Sequence, residues 1–379
     1  MTIGILGGGQ LGYMLALAGY PLDFHFRFLD PSPEAPVGRI APRVTADYTD
    51  YEALDKFAHG LALVTYEFEN VPVEAARHLA GHVPVYPPPQ ALEAAQDRLN
   101  EKTLFERLGI PLTEFASVNS AAELDSAVRK LGLPGVLKTR RLGYDGKGQW
   151  VLRSEDDMVE LKRDFPSTPL ILEKFVRFTR ELSILAVRGR SGETVFYPLV
   201  ENRHRGGILR LSLAPAPQLS RPLQQEAENA ARRILEALDY VGVLAVELFE
   251  CDGHLLANEI APRVHNSGHW SIEGAVTSQF ENHLRGVAGL PLGKTQMLGH
   301  SAMLNLIGEV PEPGELLAVP DTHLHLYGKA LRAGRKVGHV TVRAESAEQL
   351  SFRLSELPAF FQREEFCILP RVAGASKYL

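Results

Sequence analysis

Two glutamates, Glu247 and Glu259, stand in apolar strand-like runs joined by Asp252-Gly253-His254. Reading that connection as a three-residue loop makes the two positions symmetric about Gly253. The carboxylates then face each other with β-carbons ~5 Å apart. Facing like charges are destabilising unless something compensates, and a hard divalent cation does so, with Asn258 as a further oxygen donor. The alternative is a solvated surface pair, but Leu244, Val246, Leu248, Leu256 and Ile260 around them favour a buried sheet.

A second constellation begins at Lys138 and continues through Gly143-Tyr144-Asp145-Gly146-Lys147-Gly148-Gln149. Three glycines let backbone amides close over phosphate oxygens, while Lys138 and Lys147 supply point charges. The spacing is not that of a Walker loop, and a hairpin flap over a triphosphate suits it better. Just beyond the glutamates, Arg263, His265 and Asn266 offer a cation and several donors for a small oxyanion. His265 and His269 lack the intervening glutamate of a His-Glu-x-x-His zinc site. Lys329, Arg332, Arg335 and Lys336 could grip a phosphate monoester or simply be solvated charge. Finally, Gly7-x-Gly9-x-x-Gly12 follows an apolar run, and Asp30 ends the next one. Alone, that fingerprint reads as an NAD(P) oxidoreductase.

The elements that must carry these groups change character along the chain. Apolar runs at 2–6, 24–29 and 61–66 alternate with helical patterns, which predicts a parallel sheet. The stiff Val83-Pro84-Val85-Tyr86-Pro87-Pro88-Pro89 stretch marks a first boundary, giving a Rossmann-like substrate-binding domain over 1–90. A single helix is expected over 91–108 and another over 224–238. Between and beyond them, short runs at 136–139, 149–152, 170–175, 182–187, 195–199, 243–249 and 255–260 predict antiparallel sheet. Two further strands, 324–331 and 336–342, place a small β-rich domain over 311–379. The middle domain is expected over 91–310, with its flap at about 115–178.

Composition narrows the class. The 379 residues carry a net charge of −6, which argues against a nucleic-acid binder. Two cysteines, Cys251 and Cys367, make neither a disulfide framework nor a four-thiolate site, and both read as structural. The longest early apolar stretch, 11–18, is far short of the ~20 residues of a membrane span. No secretory pattern opens the chain, so a cytoplasmic location is expected.

Taken together, Gly7 to Gly12, Gln96-Asp97-Arg98, Gly143 to Gln149, Asn258 to Arg263 and His265-Asn266-Ser267-Gly268-His269 resemble the 5-(carboxyamino)imidazole ribonucleotide synthetase family of ATP-grasp carboxylases. The resemblance implies an ATP-grasp fold, α/β and α+β, with an N-terminal Rossmann-like domain. It implies ATP-dependent carboxylation of aminoimidazole ribonucleotide by bicarbonate through carboxyphosphate, usually by a homodimer. Arg98, Lys138 and Gly143, Tyr144, Asp145, Gly146, Lys147, Gly148 and Gln149 would hold the phosphates. Glu173, Lys174, Phe175 and Val176 would form the adenine hinge, with Glu181 at the ribose and His204 and Asn258 nearby. Glu247 and Glu259 would bind two Mg²⁺ ions, with Mn²⁺ an alternative. Gly9, Gln10 and Leu11 would hold the substrate nucleotide, Glu69 and Tyr144 its reacting amine, and Lys329, Arg335 and Lys336 its phosphate. Tyr13 and Asn70 depart from the family pattern. An NAD(P) oxidoreductase, and sister ATP-grasp ligases such as a formate-using ribonucleotide transformylase or an amino-acid ligase, are the competing readings.

Overall fold

The computed structural model describes residues 1–143, 147–363 and 366. Tyr144, Asp145 and Gly146 of the expected phosphate flap, and Cys367, lie outside the described residues.

The first apolar runs fold as expected, into a parallel sheet ordered Arg43–Val44, His25–Leu29, Thr2–Leu6, Leu63–Tyr66. Ile3, Ile5 and Leu6 are fully buried, as strands covered on both faces require. A separate four-stranded antiparallel sheet, ordered Phe115–Val118, Leu170–Lys174, Gly135–Thr139, Gln149–Leu152, forms the flap. Helices Ala121–Leu131 and Glu155–Arg163 bury Leu124, Ala127 and Met158 in its core.

The largest element is a nine-stranded sheet. It runs His254–Ala261, Gly242–Cys251, Arg180–Arg188, Val200–Arg205, Ile208–Ala214, His300–Ile307, Lys336–Ala344, Thr322–Leu326, with Thr194–Phe196 on the side. The C-terminal strands thus continue the sheet that carries the glutamates, because Ile208–Ala214 pairs with His300–Ile307. Strands Phe115–Val118, Val200–Arg205, Ile208–Ala214 and His300–Ile307 were not predicted. Val200–Arg205 carries Glu201, Arg203 and Arg205, which blur its alternation.

Among the expected elements that differ in extent, two have a clear local cause. The helix over 91–108 is two helices, Pro89–Gln96 and Arg98–Arg107, broken at Asp97 with φ −125° and ψ 113°. Asp97 is an N-cap: its carboxylate accepts from the Leu99 N–H at 3.0 Å, which restarts the helix in a new direction. The strand over 324–331 stops at Leu326, two residues before Gly328, whose φ of +66° leaves the extended region.

One buried histidine ties the parallel sheet to the large one. His283, on helix Gln279–Ala288, lies 2.9 Å from Thr65 Oγ1 through Nε2 and accepts from the Val243 N–H at 3.1 Å through Nδ1. Accepting at Nδ1 leaves the proton on Nε2, and burial pushes the ring's pKa down to about 3. His283→Leu orphans the Val243 N–H and the Thr65 hydroxyl, so a loss of about 2–4 kcal/mol is expected in urea unfolding. The folded ring resists a proton that the unfolded ring takes below about pH 6.5, so wild-type stability falls as pH drops from there toward about 3. The variant should lack that share, about 1.4 kcal/mol per pH unit. Equal stability and an equal acid slope would rule out this role.

Candidate active site

Glu247 and Glu259 are register partners, as expected, but not by the expected route. The connection between Gly242–Cys251 and His254–Ala261 is the two-residue turn Asp252-Gly253, both with positive φ (50° and 81°). That is the backbone such tight hairpins favour. Pairing runs Cys251↔His254 to Leu248↔Ala257, and continued without a break it would set Glu247 opposite Asn258. A bulge at Asn258 advances the register by one and delivers Glu259 instead. Lys102 holds the bulge: its Nζ donates to the Asn258 carbonyl at 2.6 Å. Asn258 Oδ1 is buried with no hydrogen-bond partner.

Helix Arg98–Arg107 supports this strand with one face. Arg98, Glu101 and Lys102 recur at helical neighbours' spacing. Arg98 Nη1 donates to Glu259 Oε2 at 2.8 Å, and Glu101 Oε1 accepts from the Ile260 N–H at 2.6 Å. Lys102 is fully buried and also lies 3.3 Å from Glu173, whose same oxygen accepts from Lys138 Nζ at 3.0 Å. Burial pushes the Glu101 carboxyl up to about 8. Asp97 anchors the helix to the flap: Arg140 grips it through Nε and Nη2 at 2.9 and 2.8 Å, and Arg141 through Nε at 3.2 Å.

The two glutamates titrate apart. Burial would raise Glu259, but Arg98, Lys138 and Lys102 outweigh it and keep the carboxylate ionised. Burial, then the charge on Glu259, raises Glu247. His265 Nε2 lies 3.3 Å from Glu247 Oε1, while Nδ1 accepts from the Ser267 N–H at 3.3 Å and sits 2.9 Å from the Ser267 hydroxyl. Behind it runs a buried chain in which Ser212 donates to Asn202, Asn202 to Ser183, and Ser183 to Ser267, each at 2.8 Å. Its direction leaves Ser267 donating to Nδ1, so the proton of His265 rests on Nε2, toward the glutamate. Burial and Arg263 push this ring's pKa down to about 3, so it is neutral.

Of the expected residues, Glu69, Arg98, Gly143 and Glu259 line one cleft, together with Gln96 and Arg140. Arg263 Nε donates to Glu69 Oε2; burial works to raise that carboxyl, but Arg263 wins and holds it below the ordinary range. Asn266 and Asn305 exchange amide hydrogen bonds at 3.0 and 2.8 Å, so most of the Asn266 amide is turned toward the sheet. The flap strands pair Lys138 with Gln149, and Thr139 N–H donates to the Gly148 carbonyl at 2.8 Å. Gly148 is required there, since its φ is +70° and an added β-carbon would lie 2.6 Å from Thr139 Oγ1. Glu181 Oε2 lies 3.0 Å from His204 Nδ1 and overrides burial to raise the imidazole's pKa. Lys174 is exposed and pairs with Glu114, away from Lys138; Phe175 N–H donates to Pro134 O, and Val176 follows at the strand's end.

Three families match in succession. They are the ribonucleotide synthetase preATP-grasp domain over residues 1–96, the ATP-grasp domain over 103–280, and the phosphoribosylaminoimidazole carboxylase C-terminal domain over 301–353. The chain is 56% identical over 362 residues to N5-carboxyaminoimidazole ribonucleotide synthase of Pseudomonas aeruginosa, covering 96% of this chain and 100% of that protein. The chain belongs to the N5-carboxyaminoimidazole ribonucleotide synthase family. The synthetase of that name from Thermus thermophilus superposes with a TM-score of 0.90 at 60% identity, over 93% of this chain and 97% of that one. The N5-carboxyaminoimidazole synthase of Aspergillus clavatus, solved in complex with ADP and 5-aminoimidazole ribonucleotide, gives 0.88 at 33% identity, over 96% and 98%. An ATP-grasp fold with a pre-ATP-grasp domain, and an ATP-dependent ligase, follow.

In this N5-carboxyaminoimidazole ribonucleotide synthase family member, the glycine-rich turn is satisfied from within. Gly8 N–H donates to Asp30 Oδ2 at 2.6 Å, Gly9 N–H to Glu67 Oε1 at 2.6 Å, and Gly12 N–H to Glu67 Oε2 at 2.8 Å. Two carboxylates therefore occupy the donors that a dinucleotide's pyrophosphate would need. An added β-carbon on Gly9 would lie 2.5 Å from Glu67 Oε1, so the glycines admit that side chain. Nothing in the spacing of Glu67 along the sequence marks it as the partner of a turn so distant in the chain. Gln10 begins the helix and accepts from Lys329 Nζ, while Leu11 is buried in the core. Lys336 acts electrostatically on Lys329 and also on Glu247, His204 and His265, so the basic cluster reaches toward the glutamates. Arg335 N–H donates to Arg332 O and its charge acts on Lys329. Arg39, also unmarked by sequence, lies over Gly328, where an added β-carbon would be 2.1 Å from Nη1.

Proposed function

We propose that the chain couples ATP cleavage to carboxylation of 5-aminoimidazole ribonucleotide by bicarbonate, through carboxyphosphate, in purine biosynthesis. The observation that supports this most is the facing glutamate pair, with Glu259 kept ionised by Arg98 and lining a cleft that Arg140 and Gly143 also line. Relatives named for this activity, one of them solved with ADP and the substrate nucleotide, support the same reading.

The donor set suits Mg²⁺: two opposed carboxylates and the orphaned Asn258 Oδ1 are hard oxygen ligands. Bound there, the cation would neutralise charge on the transferred phosphoryl group. The protein's own residues do the remaining work. Arg98, Lys138 and the flap hold the phosphates in line. Neutral His265 donates from Nε2 to an oxygen of bicarbonate, and Arg263 supplies positive charge. A bicarbonate oxygen bonds to the γ-phosphorus as the bond to the ADP oxygen breaks. Carboxyphosphate then separates into carbon dioxide and inorganic phosphate; the amine nitrogen captures the former, and its proton passes to the released phosphate. Glu69, held ionised by Arg263, is a poor base and orients the amine instead. Lys329, Arg335 and Lys336 take the nucleotide's phosphate beside Gln10. The family resemblance adds a cytoplasmic homodimer. Among the described residues no helix is long and apolar enough to cross a membrane.

A coupled ADP-release assay tests the reading. ADP should form quickly only when ATP, bicarbonate and 5-aminoimidazole ribonucleotide are all present. Dependence on formate in place of bicarbonate would convert the reading to a transformylase. ADP formation indifferent to the ribonucleotide would refute the assigned acceptor.

A further inference from the structure

Outside the cleft, two helices of the N-terminal domain bring three ligand-type side chains together. Helix Tyr51–Ala58 carries Asp55, and helix Val73–Ala80 carries His78, with His82 one turn later. The His82 N–H donates to Leu79 O at 2.9 Å, so the backbone keeps turning and both imidazoles share one face. His78 Nε2 lies 2.6 Å and His82 Nε2 3.3 Å from the same oxygen, Asp55 Oδ1. All three ligand atoms fall within 4.8 Å of one another.

We propose that Asp55, His78 and His82 form a surface binding site for a borderline divalent transition cation such as Zn²⁺ or Ni²⁺. Two imidazole nitrogens and one carboxylate oxygen are a donor set these ions prefer, whereas Mg²⁺ takes oxygen ligands. Tetrahedral zinc with bonds of ~2.0 Å spaces its ligands about 3.3 Å apart. The His82–Asp55 separation already has that value, and the His78–Asp55 contact needs to open by less than an ångström. Nearby cations do not compete for the carboxylate: Lys56 pairs with Glu52 at 2.6 Å, and Arg77 with Glu74 and Glu93 at 2.8 and 2.7 Å. The Tyr51 ring packs on His78 at 4.7 Å between centroids, which limits the imidazole's rotamers. Solvent supplies the remaining coordination, so the site binds without enclosing its ion.

The test uses the full chain and Zn²⁺ alone as probe, with Mg²⁺ in excess to fill oxygen-only sites. Calorimetric titration should give the wild type one more zinc equivalent than the His78→Ala/His82→Ala variant. Diffraction at the zinc edge from wild-type crystals should place an anomalous peak among the three side chains. Asp55→Asn should weaken zinc binding at least about tenfold, and ADP release should stay at its wild-type rate in these variants. Equal zinc stoichiometry in wild type and double variant, or an anomalous map with zinc only elsewhere, would overturn the assignment. The diffraction result decides the matter even if a variant folds poorly.

Discussion

Glu259→Gln is expected to lower ATP turnover by about a hundredfold to a thousandfold while leaving the fold intact. Glutamine keeps the shape and one acceptor oxygen, so the bulged strand and the Arg98 hydrogen bond can persist. What disappears is the ionised member of the pair. Glu259 holds its charge against burial because Arg98, Lys138 and Lys102 surround it, and that anion adds to burial in raising Glu247. Removing it leaves Arg98, Lys138 and Lys102 with one fewer countercharge and halves the anionic donor set for a divalent ion. ADP release beside circular dichroism separates the effects: lost turnover with an unchanged spectrum is the expected pair of results. Near-normal ADP release would take the glutamates out of the mechanism.

Lys102→Met is expected to cost about 3–5 kcal/mol of stability, because it breaks a fully buried charge cluster from one side. The ammonium serves two groups at once, the Asn258 carbonyl at 2.6 Å and Glu173 at 3.3 Å. Lys138 remains to neutralise Glu173, but the bulge carbonyl loses the ammonium that donates to it. Relieving the bulge would slide the strand by one residue, and a one-residue slip turns every side chain to the opposite face. Glu259 would then leave Glu247, so turnover should fall together with stability. Denaturant unfolding gives the first quantity and ADP release the second. A loss under about 1 kcal/mol with normal turnover would show that the bulge stands without its lysine.

Much of the site was legible beforehand because its signals are local. Lys138, Gly143 and Gly148 sit close together in the sequence, where turn chemistry is written in nearly consecutive residues, and the flap strands pair as expected. The glutamate pairing was also foreseen, yet through compensating differences: the turn is one residue shorter than read, and the bulge restores the match. Apolar spacing runs through the break at Asp97, while the groups that hold it, Arg140 and Arg141, come from the segment just beyond strand Gly135–Thr139.

By itself the sequence determined the order of elements, the parallel start and antiparallel remainder, and the residue types that handle phosphate and metal. These follow from periodicity, glycine placement and charge within short windows. Only the tertiary structure decided who partners whom across long separations. It filled the glycine-rich turn with Asp30 and Glu67, set the proton of His265 through Ser212, Asn202, Ser183 and Ser267, and fastened Asn258 with Lys102. The reason is that a buried polar group takes whichever partner packing brings within about 3 Å, and no spacing along the chain encodes that meeting.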